Sequence, residues 1–395
     1  MRKCRSCSSS DLALILDLGD QPWCNNFLKE EDVGKEKTYP LRLVYCYRCS
    51  LLQLDYTIPK EVMFTNHPYV SGTSPMLRNH FLDTARVAAN ISRAQEYDTI
   101  LDIGGNDGTA LLQYKSLGFK DLVNVESAGN IAKLSSEAGI NTLNRFFNLE
   151  MAKEKFVEKS TKIVNASGVF FHLEELHGVT EAIKYILAMD GVFVCQFMYA
   201  GDMIDKGQYD TIYHEHLCYY TLKSFKNLIE PYGLKVFNAY HTPVHGGSLV
   251  VHVGHTDGGW VETSSLREVE NKDSKYDLES VIRFSMGVSE NRGRLLPLVE
   301  KYKTVHGYGA PAKGNTLLNY CGITTRQVKK LVEKNPLKFG RYAPGSHIPV
   351  TEETPNDRPD IYLLLCHNLI DEVVENNRGV PFIVPFPFPH VYKKL

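Results

Sequence analysis

The stretch Thr99-Ile100-Leu101-Asp102-Ile103-Gly104-Gly105-Asn106-Asp107-Gly108 decides the fold of this 395-residue chain. Its first five residues have the pattern of a short buried strand, and the glycines that follow let the backbone turn tightly and approach a ligand closely. Residues 109–117 then have the pattern of a helix. This order of strand, glycine loop and helix predicts a Rossmann-like α/β domain whose ligand lies at the carboxyl end of the first strand.

An acidic residue follows the next predicted strand. That strand covers residues 122–125 and ends at Glu126, about twenty residues after the loop, where a carboxylate can hold the ribose hydroxyls of a nucleoside. The alternative is a tight strand-to-helix turn with a solvated Glu126. Asp102, at the end of the first strand, would repel a dinucleotide pyrophosphate but suits a cationic or amine-bearing ligand.

The glycine loop resembles the Asp-x-Gly-x-x-x-Gly motif of S-adenosylmethionine-dependent methyltransferases. That resemblance makes S-adenosylmethionine the expected cofactor. Further strands are predicted at residues 162–166, 191–197, 234–240 and 248–253, and the last two are close enough in sequence to form a hairpin. A mostly parallel sheet that ends in an antiparallel hairpin is what this methyltransferase fold would show.

Length and composition allow two or three packed domains and exclude some classes of partner. The net charge of −2 gives no global field for nucleic acid or for an anionic membrane, so neither is an expected partner. No apolar run approaches the ~20 residues of a membrane span, and the N-terminus does not resemble a signal peptide. We therefore expect a cytoplasmic protein.

Four of the nine cysteines form two C-x-x-C pairs, Cys4 with Cys7 and Cys46 with Cys49. Four thiolates in this spacing suit a tetrahedral Zn²⁺, which stabilises small modules that have little core. A redox pair or unrelated thiols are the alternatives. Because four cysteines leave no open position on zinc, we expect a structural ion.

The segment Tyr213-His214-Glu215-His216 concentrates groups that can pass protons. Its H-x-H spacing does not fit a zinc site on a helix. On a strand or extended loop, His214 and His216 would share one face and Tyr213 and Glu215 the other. The segment follows the fifth predicted strand, on the side of the sheet where ligands bind. His172 follows the fourth strand at the same edge, although it could equally be a surface or capping residue.

A second α/β unit is predicted after a connector helix at residues 75–92 and a long helix at 275–302. Residues 305–316 again have the order strand, glycine loop and helix start, with Lys313 placed to meet an anion, unless the loop is only a turn. A strand at 360–366, a helix at 369–376 and a strand at 381–385 follow. The predicted domains are a zinc-binding module at 1–60, a methyltransferase domain at 61–258, and a linker helix with a Rossmann-like nucleotide-sugar-binding domain at 259–395.

Taken together, these motifs resemble the sugar-nucleotide C-methyltransferases of deoxysugar biosynthesis over essentially the whole chain. The motifs are the four cysteines and the runs at 102–108, 213–220, 307–316 and 340–345. The resemblance implies catalytic roles for His216, Tyr213, Glu215, Tyr69 and His172. It implies cofactor binding by Asp102, Gly104, Asn106, Gly108 and Glu126, and substrate binding by His214, Lys313, Asn315 and Gly309.

The chain departs from the family pattern at three places. Gly105 stands where the pattern has a serine, Ser167-Gly168 where it has two asparagines, and His347 where it has an arginine. From the local sequence alone, Tyr69 would be a packed aromatic. The first two departures bear on cofactor contacts, and the third bears on the preference for nucleotide or sugar.

The resemblance implies methylation of the carbon beside the ketone of a nucleotide-linked 4-keto deoxysugar, at C-3′. His216 would remove the proton, Glu215 would orient nearby groups, and Tyr213, helped by Tyr69 or His172, would donate a hydrogen bond to the enolate oxygen. The expected partner is a nucleoside-diphosphate keto sugar, for example a dTDP-linked one, and the expected state is a monomer or weak homodimer. The alternatives are an O- or N-methyltransferase of a small metabolite and a non-catalytic nucleotide-sensing or assembly protein.

Overall fold

The structure is a computed structural model that describes residues 3–64, 70–354, 357–376 and 379–393. In chain order, its first elements are β1 (Leu12–Pro22), β2 (Thr38–Cys46), β3 (Leu52–Leu54), α1 (Lys60–Phe64) and α2 (Pro75–Ser92). The next are β4 (Thr99–Ile103), α3 (Thr109–Ser116), β5 (Leu122–Val125), α4 (Gly129–Glu137), β6 (Asn141–Leu143), α5 (Leu149–Lys155), β7 (Thr161–Ser167), α6 (Leu176–Ile186), β8 (Leu187–Met198), α7 (Ala200–Asp205), β9 (Cys218–Tyr219), α8 (Leu222–Ile229), β10 (Leu234–Thr242) and β11 (Ser248–His255). The last are α9 (Ser264–Asp273), α10 (Leu278–Val299), β12 (Val305–Tyr308), α11 (Ala312–Cys321), β13 (Val328–Glu333), β14 (Val350–Glu352), β15 (Ile361–Leu364), α12 (Ile370–Asn376), β16 (Phe382–Val384) and β17 (His390–Tyr392).

The middle sheet has the strand order β10-β11-β8-β7-β4-β5-β6. Strands β4 to β8 pair in parallel, and β11 pairs antiparallel with both β8 and β10. From β4 the chain first adds β5 and β6 on one side and then adds β7 and β8 on the other. The reversal between β4 and β7 opens a crevice at their carboxyl ends, where such sheets bind ligands. The predicted Rossmann-like sheet with a terminal hairpin is therefore confirmed.

The last sheet repeats this arrangement with the order β14-β13-β12-β15-β16-β17. Its first five strands are parallel, and β17 closes the edge in the antiparallel sense. The reversal between β12 and β15 places the loop before α11 and the residues after β15 beside each other. This confirms a second Rossmann-like unit.

The N-terminal sheet is antiparallel and takes one strand from far along the chain. Its order is β1-β2-β3-β9, and Leu52 and Gln53 of β3 pair with Tyr219 and Cys218 of β9. Because β9 directly follows the 213–216 segment, this pairing holds that segment against the N-terminal module.

Several predicted elements differ from the structure. The predicted helix at 275–302 is shorter and is preceded by α9, which the sequence did not indicate. Asp277 begins α10, since its Oδ1 accepts a hydrogen bond from the Ser280 amide over 2.9 Å. Strands β13, β14 and β17 were not predicted either. None of the helices in the described residues is long and apolar enough to cross a membrane.

The alternating faces predicted for residues 213–216 are wrong, because the segment is a turn and not a strand. The His216 amide donates to the Tyr213 carbonyl over 2.9 Å. This turn brings the rings of Tyr213 and His216 together, with 3.9 Å between their centroids. His214 instead points toward Tyr39 of the N-terminal module, and its ring Nε2–H donates to the Tyr39 carbonyl over 3.3 Å.

Candidate functional site

A cavity of about 950 Å³ lies where the three sheets approach one another. It is lined by residues from all three parts of the chain, among them Asn25 and Ile58, Asn106 and His216, and Lys313 and Asn368. It covers the carboxyl ends of β4 and β7 and also reaches the start of α11. Groups that are far apart in the sequence therefore face one cavity, as expected for a substrate site.

One end of the cavity is formed by the glycine loop and Glu126. The Glu126 carboxylate accepts hydrogen bonds from the amides of Asn106, over 3.1 Å, and Ala128, over 2.8 Å. The loop is also bonded to the connector before α2, because the Asn106 side-chain oxygen accepts the Ser71 amide over 2.9 Å. Gly108 has φ +80° and precedes the first residue of α3. The loop is thus held in one conformation at the cavity wall.

Asp102 lies beneath this loop with a buried carboxyl. It is 2% exposed and forms no hydrogen bond through its side chain within the described ranges. Burial, with a smaller effect from the charge of Glu126, raises its pKa to about 8. At this pKa the Asp102 carboxyl is mostly protonated near neutral pH in the empty site, and a cationic ligand beside it and Glu126 would favour its ionised form. S-adenosylmethionine carries an ammonium and a sulfonium, so this end of the cavity fits it.

Gly105 is required by the packing of Asn124. A Cβ at position 105 would lie 2.5 Å from Asn124 Oδ1 and 2.6 Å from Asp102 Oδ2. Asn124 Oδ1 also accepts the Gly105 amide over 3.1 Å, and its Nδ2 donates to the Asn106 carbonyl over 3.0 Å. In this chain an asparagine on β5 therefore occupies the space into which a side chain at position 105 would project.

His216 faces the middle of the cavity as a neutral imidazole. Its Nδ1–H donates to the Thr211 carbonyl over 2.9 Å, because a carbonyl oxygen can only accept. The proton on Nδ1 leaves the lone pair on Nε2. Burial, with smaller contributions from His172, His245 and Lys313, lowers the pKa of His216 well below its usual value. The imidazole is therefore neutral near neutral pH, with Nε2 as the nitrogen that can accept a proton.

The rings of Tyr213 and His172 both lie beside this imidazole. The Tyr213 ring centroid is 3.9 Å away with its plane tilted by 36°, and the His172 ring centroid is 5.1 Å away. The Tyr213 hydroxyl forms no hydrogen bond to the part of the chain that the structure describes, and burial, reinforced by Glu215, raises its pKa well above normal. It therefore remains a hydrogen-bond donor. His172 donates its Nδ1–H to the Glu215 carbonyl over 2.6 Å.

The Glu215 carboxylate is held by the N-terminal module. Its Oε1 accepts hydrogen bonds from Trp23 Nε1 and from Asn25 Nδ2, each over 2.6 Å. The sequence did not indicate Trp23 or Asn25. Both residues precede β2 by many positions, and no local pattern relates them to the 213–216 segment.

His245 is a further histidine of the cavity that the sequence analysis did not select. It lies in the loop between β10 and β11 with φ +58°, a conformation that costs a non-glycine residue of order 1 kcal/mol. Its side chain lines the cavity, and removal from bulk water by the surrounding protein lowers its pKa to about 4. The sequence feature that could have identified His245 is its place before two glycines, in the loop between the predicted strands 234–240 and 248–253.

The opposite end of the cavity carries two lysines. Lys313, in the first turn of α11, has Nζ 3.3 Å from His367 Nε2 and in contact with Asn368 Oδ1. Lys338 donates to the Ala310 carbonyl over 2.7 Å and lies 4.7 Å above the Phe27 ring. Glu126 lies at the glycine-loop end and Lys313 and Lys338 lie at the α11 end, while Lys60, Arg145 and further carboxylates also line the wall. The cavity can therefore receive a cationic and an anionic ligand side by side.

Other predicted site residues lie outside the cavity wall. The Asn315 side chain donates to the Cys24 carbonyl over 2.7 Å, and Gly309, with φ +82°, packs against Cys366. His347 is 2.6 Å from Glu36 and likewise does not line the cavity. Tyr69 is outside the described residues. The substrate roles of His214, Asn315 and Gly309 remain predictions.

The four cysteines of the N-terminal module form a compact cluster. Their sulfur atoms all lie within 4.8 Å of one another, with Cys4 to Cys49 and Cys7 to Cys46 each at 3.5 Å. Zinc–sulfur bonds of about 2.3 Å in a tetrahedron place sulfurs roughly 3.8 Å apart. The cluster therefore fits a closed zinc site, and no other potential metal cluster occurs in the described ranges.

Comparison with known proteins gives matches along the whole chain. Family models match residues 4–64 ("Putative zinc binding domain"), 78–239 ("Methyltransferase domain") and 243–387 ("C-methyltransferase C-terminal domain"). The chain is 30% identical over 405 residues to C-methyltransferase NovU of Streptomyces niveus, with 98% of this chain and 96% of that protein covered.

Among solved structures, similarity is limited to part of the chain. The PH0226 protein of Pyrococcus horikoshii OT3 is 12% identical with a TM-score of 0.38, and covers 51% of this chain and 100% of its own. The CcbJ methyltransferase of Streptomyces caelestis is 14% identical with a TM-score of 0.35, and covers 44% and 89%.

Proposed function

Because this chain belongs to the C-methyltransferase family, we propose that it methylates the carbon beside the ketone of a nucleotide-linked 4-keto deoxysugar, at C-3′. The family makes the chain an S-adenosylmethionine-dependent methyltransferase with a zinc-binding N-terminal module. The carbon nucleophile, the sugar nucleotide and the residue roles are the proposal. The observation that carries the proposal is the neutral imidazole of His216 in the cavity wall, with its Nδ1–H bound to the Thr211 carbonyl.

Carbon methylation requires removal of a proton from carbon, and His216 has the properties of the base. Its lowered pKa keeps it neutral, its Nδ1–H is bound to the Thr211 carbonyl, and its Nε2 lone pair is available to a substrate in the cavity. The substrate C–H proton moves to Nε2, and the electron pair of that bond moves into the ketone to form an enolate. Tyr213 donates its hydroxyl proton in a hydrogen bond to the enolate oxygen, with His172 as the second polar group beside it.

The cofactor occupies the acidic end of the cavity. Gly104, Asn106 and Glu126 line it. Asp102 lies beneath the loop, where a positive ligand would lower its raised pKa and favour its ionised form. S-adenosylmethionine, when bound there, supplies an electrophilic methyl group on its sulfonium. The cavity wall holds that group and the enolate carbon near each other, which removes most of the entropic cost of bringing two reactants together.

The nucleoside diphosphate occupies the other end. Lys313 lies at the start of α11, where the helix dipole and the unpaired amides also favour an anion. Lys338 is the second cation there. The keto sugar then extends toward His216, between the two ends. A small metabolite without phosphate would make no use of this cationic end.

Mass spectrometry with deuterium exchange tests the proposal. The protein is incubated with S-adenosylmethionine and a panel of 4-keto-6-deoxy sugar nucleotides, and a product one methylene heavier is expected. Without methyl donor, the C-3′ hydrogen should exchange with deuterium from solvent. Methylation on oxygen or nitrogen, or methylation without exchange, would contradict the base-and-enolate mechanism. No methyl transfer to any sugar of the panel would contradict the substrate class.

A further inference from the structure

A buried hydrogen bond joins the last domain to the segment that carries the reaction centre. His367 follows β15, and Asp210 lies in a short helical turn at Tyr209–Thr211. The two side chains are 6% and 1% exposed, with 2.8 Å between His367 Nε2 and Asp210 Oδ2. The His367 ring also packs edge-on against Phe386 at 4.8 Å, which fixes its position.

Lys313 approaches the same nitrogen atom. Its Nζ lies 3.3 Å from His367 Nε2. A carboxylate only accepts and an ammonium only donates, so Nε2 can form a hydrogen bond with one of them at a time. The charge-assisted bond to Asp210 is the shorter and stronger one, so the Nε2 proton points to Asp210. The N–H groups of Lys313 are then directed to Asn368 Oδ1 and into the cavity.

The negative charge of Asp210 is only partly compensated by His367. Its second oxygen, Oδ1, is buried and has no hydrogen-bond partner in the parts of the chain that the structure describes. The Lys313 ammonium lies beside this carboxylate, because Lys313 Nζ and Asp210 Oδ2 are both within 3.3 Å of His367 Nε2. A buried carboxylate that is left with one unpaired oxygen favours a nearby cation strongly.

We propose that Asp210 is a positioning residue that acts with His367 to keep Lys313 protonated and aimed into the cavity, where it binds the diphosphate of the substrate. This inference rests on the proposed function, because that function assigns the anion to Lys313. It adds a role for two residues that do not themselves contact the reacting carbon.

Several charged and titratable groups surround Lys313, and they differ in whether they favour its protonated form. Burial lowers the pKa of Lys313, and Asp210 and Cys366 act in the opposite direction. Burial raises the pKa of the Cys366 thiol to about 11, so the thiol is neutral at ordinary pH. His216 and His245 also face Lys313, and both have lowered pKa values that keep them uncharged. Among the described residues, Asp210 is therefore the one negative group that maintains the charge of Lys313 near neutral pH.

The same segment also positions the base. The carbonyl of Thr211, directly after Asp210, accepts the Nδ1–H of His216. The next carbonyl, of Ile212, accepts a hydrogen bond from Thr316 of α11 over 3.1 Å. Helix α11 carries Lys313 as well. The anion end and the base are thus fixed to one short segment, so that a diphosphate on Lys313 holds its sugar at a fixed place relative to His216.

Calorimetric titration of the full-length protein with dTDP between pH 6.5 and 9.5 tests the inference. Asp210→Asn should bind dTDP at least as tightly as the wild type at pH 6.5, where Lys313 is charged in both. Coulomb's law at an effective dielectric constant of about 20 makes one charge at roughly 6 Å worth about two pKa units. The alkaline loss of affinity should therefore begin roughly one to two pH units lower in Asp210→Asn than in the wild type, and within that interval the variant should bind dTDP at least about tenfold more weakly.

Lys313→Met separates this inference from the proposed function. It should bind dTDP weakly, with little dependence on pH above 7. If the wild type does not bind dTDP, or Lys313→Met binds it equally well, the nucleotide site of the proposed function is wrong. If Lys313→Met binds weakly but Asp210→Asn follows the wild-type curve at every pH, the role of Asp210 is wrong.

A pair of His367 variants gives a second test that does not depend on the folding of Asp210→Asn. His367→Gln keeps a donor that can reach Asp210 and should retain the wild-type curve. His367→Leu removes the donor that holds the Asp210 carboxylate, so Asp210 can pair directly with Lys313 and draw its ammonium out of the cavity, and dTDP affinity should fall across the whole pH range. Equal curves for His367→Gln and His367→Leu would overturn the inference.

Discussion

The indole Nε1–H of Trp23 donates to the Glu215 carboxylate over 2.6 Å, and thus joins the zinc-binding module to the segment that carries the proposed base. The two residues are 192 positions apart in the chain. Glu215 is therefore oriented from outside the domain to which it belongs. The N-terminal module thus contributes to the wall of the candidate site as well as to the fold.

Trp23→Phe should slow the reaction without preventing cofactor binding. The substitution keeps an aromatic ring but removes the N–H, so Asn25 alone remains as a donor to Glu215. We expect kcat to fall roughly 10- to 150-fold, which corresponds to loss of one charge-assisted hydrogen bond at about 1.5–3 kcal/mol. Steady-state kinetics and titration with S-adenosylmethionine measure the two effects. Trp260→Phe, which changes the other tryptophan of the chain, is the matched control and should retain the wild-type kcat.

Zinc removal should inactivate the protein. The cysteine cluster lies in the same small sheet region as the segment containing Trp23 and Asn25, and loss of the ion removes the constraint on that region. A chelator should lower methyl transfer more than about tenfold and lower the melting temperature, and added Zn²⁺ should restore both. Metal content is followed by elemental analysis. Full activity at zero zinc would contradict the structural role of the ion.

His216→Asn should abolish both methyl transfer and deuterium exchange. General base catalysis contributes about 10²–10⁴-fold, so a loss of that size is expected in kcat. Binding of S-adenosylmethionine should be unchanged, since His216 is not part of the acidic end. His177→Asn, at an exposed histidine of α6, is the control. Wild-type exchange in a folded His216→Asn protein would show that another residue is the base.

Gly105→Ser should weaken cofactor binding, although the family pattern has serine there. The new Cβ would lie 2.5 Å from Asn124 Oδ1, closer than van der Waals contact allows. The loop must then shift, and we expect the dissociation constant for S-adenosylmethionine to rise about tenfold, the effect of roughly 1.4 kcal/mol. Shortening the neighbour in Gly105→Ser/Asn124→Ser should recover part of the affinity. If the double variant binds no better than Gly105→Ser, the clash with Asn124 is not the cause.

The protein should lose stability as the pH falls from 7 to 5. Burial lowers the pKa of His214, His245 and His252 to about 4, below the value of about 6.5 that they have when unfolded. Between these values the unfolded chain binds more protons than the folded one, so the free energy of unfolding decreases with falling pH. His252, which is fully buried in β11, contributes at most about 2 kcal/mol of this loss at pH 5.

Melting temperatures of the wild type and His252→Gln between pH 7.5 and 5 measure this effect. The glutamine oxygen can still accept from Asn238, whose Nδ2 is 3.1 Å from His252 Nδ1 in the wild type. The variant should lose less stability in acid, because it has no imidazole to protonate when it unfolds. Parallel curves for the two proteins would exclude His252 as a source of the pH dependence.

The sequence predicted the parts of this structure that depend on local order. The strand, glycine loop and helix around Gly104 form from neighbouring residues, and each Rossmann-like sheet follows from the repetition of that unit. The cysteine spacing likewise predicted the metal cluster. Helix α9 was missed because its sequence is mostly polar and its capping residue, Thr263, is a weak signal on its own.

The site itself was only partly predictable. His216, Tyr213 and His172 are close in the structure, as the resemblance implied and the predicted alternation did not. The turn that brings the His216 and Tyr213 rings together contacts Trp23 and Tyr39, which no periodicity relates to it. His245, Lys338 and Trp23 reach the site through tertiary packing of parts that are distant in sequence. Such contacts depend on how the three sheets assemble, which a single sequence does not encode in any local pattern.

The pairing of β9 with β3 has a consequence for how the chain folds during its synthesis. The N-terminal sheet lacks its fourth strand until the ribosome has made residues 218 and 219, so β3 has an unpaired edge throughout the synthesis of most of the middle domain. An unpaired edge can pair with another chain. Zinc that binds the four cysteines early would hold this unfinished sheet in shape until its last strand arrives. The ion would then protect the nascent chain against aggregation, and limiting zinc would reduce the yield of folded protein as well as its activity.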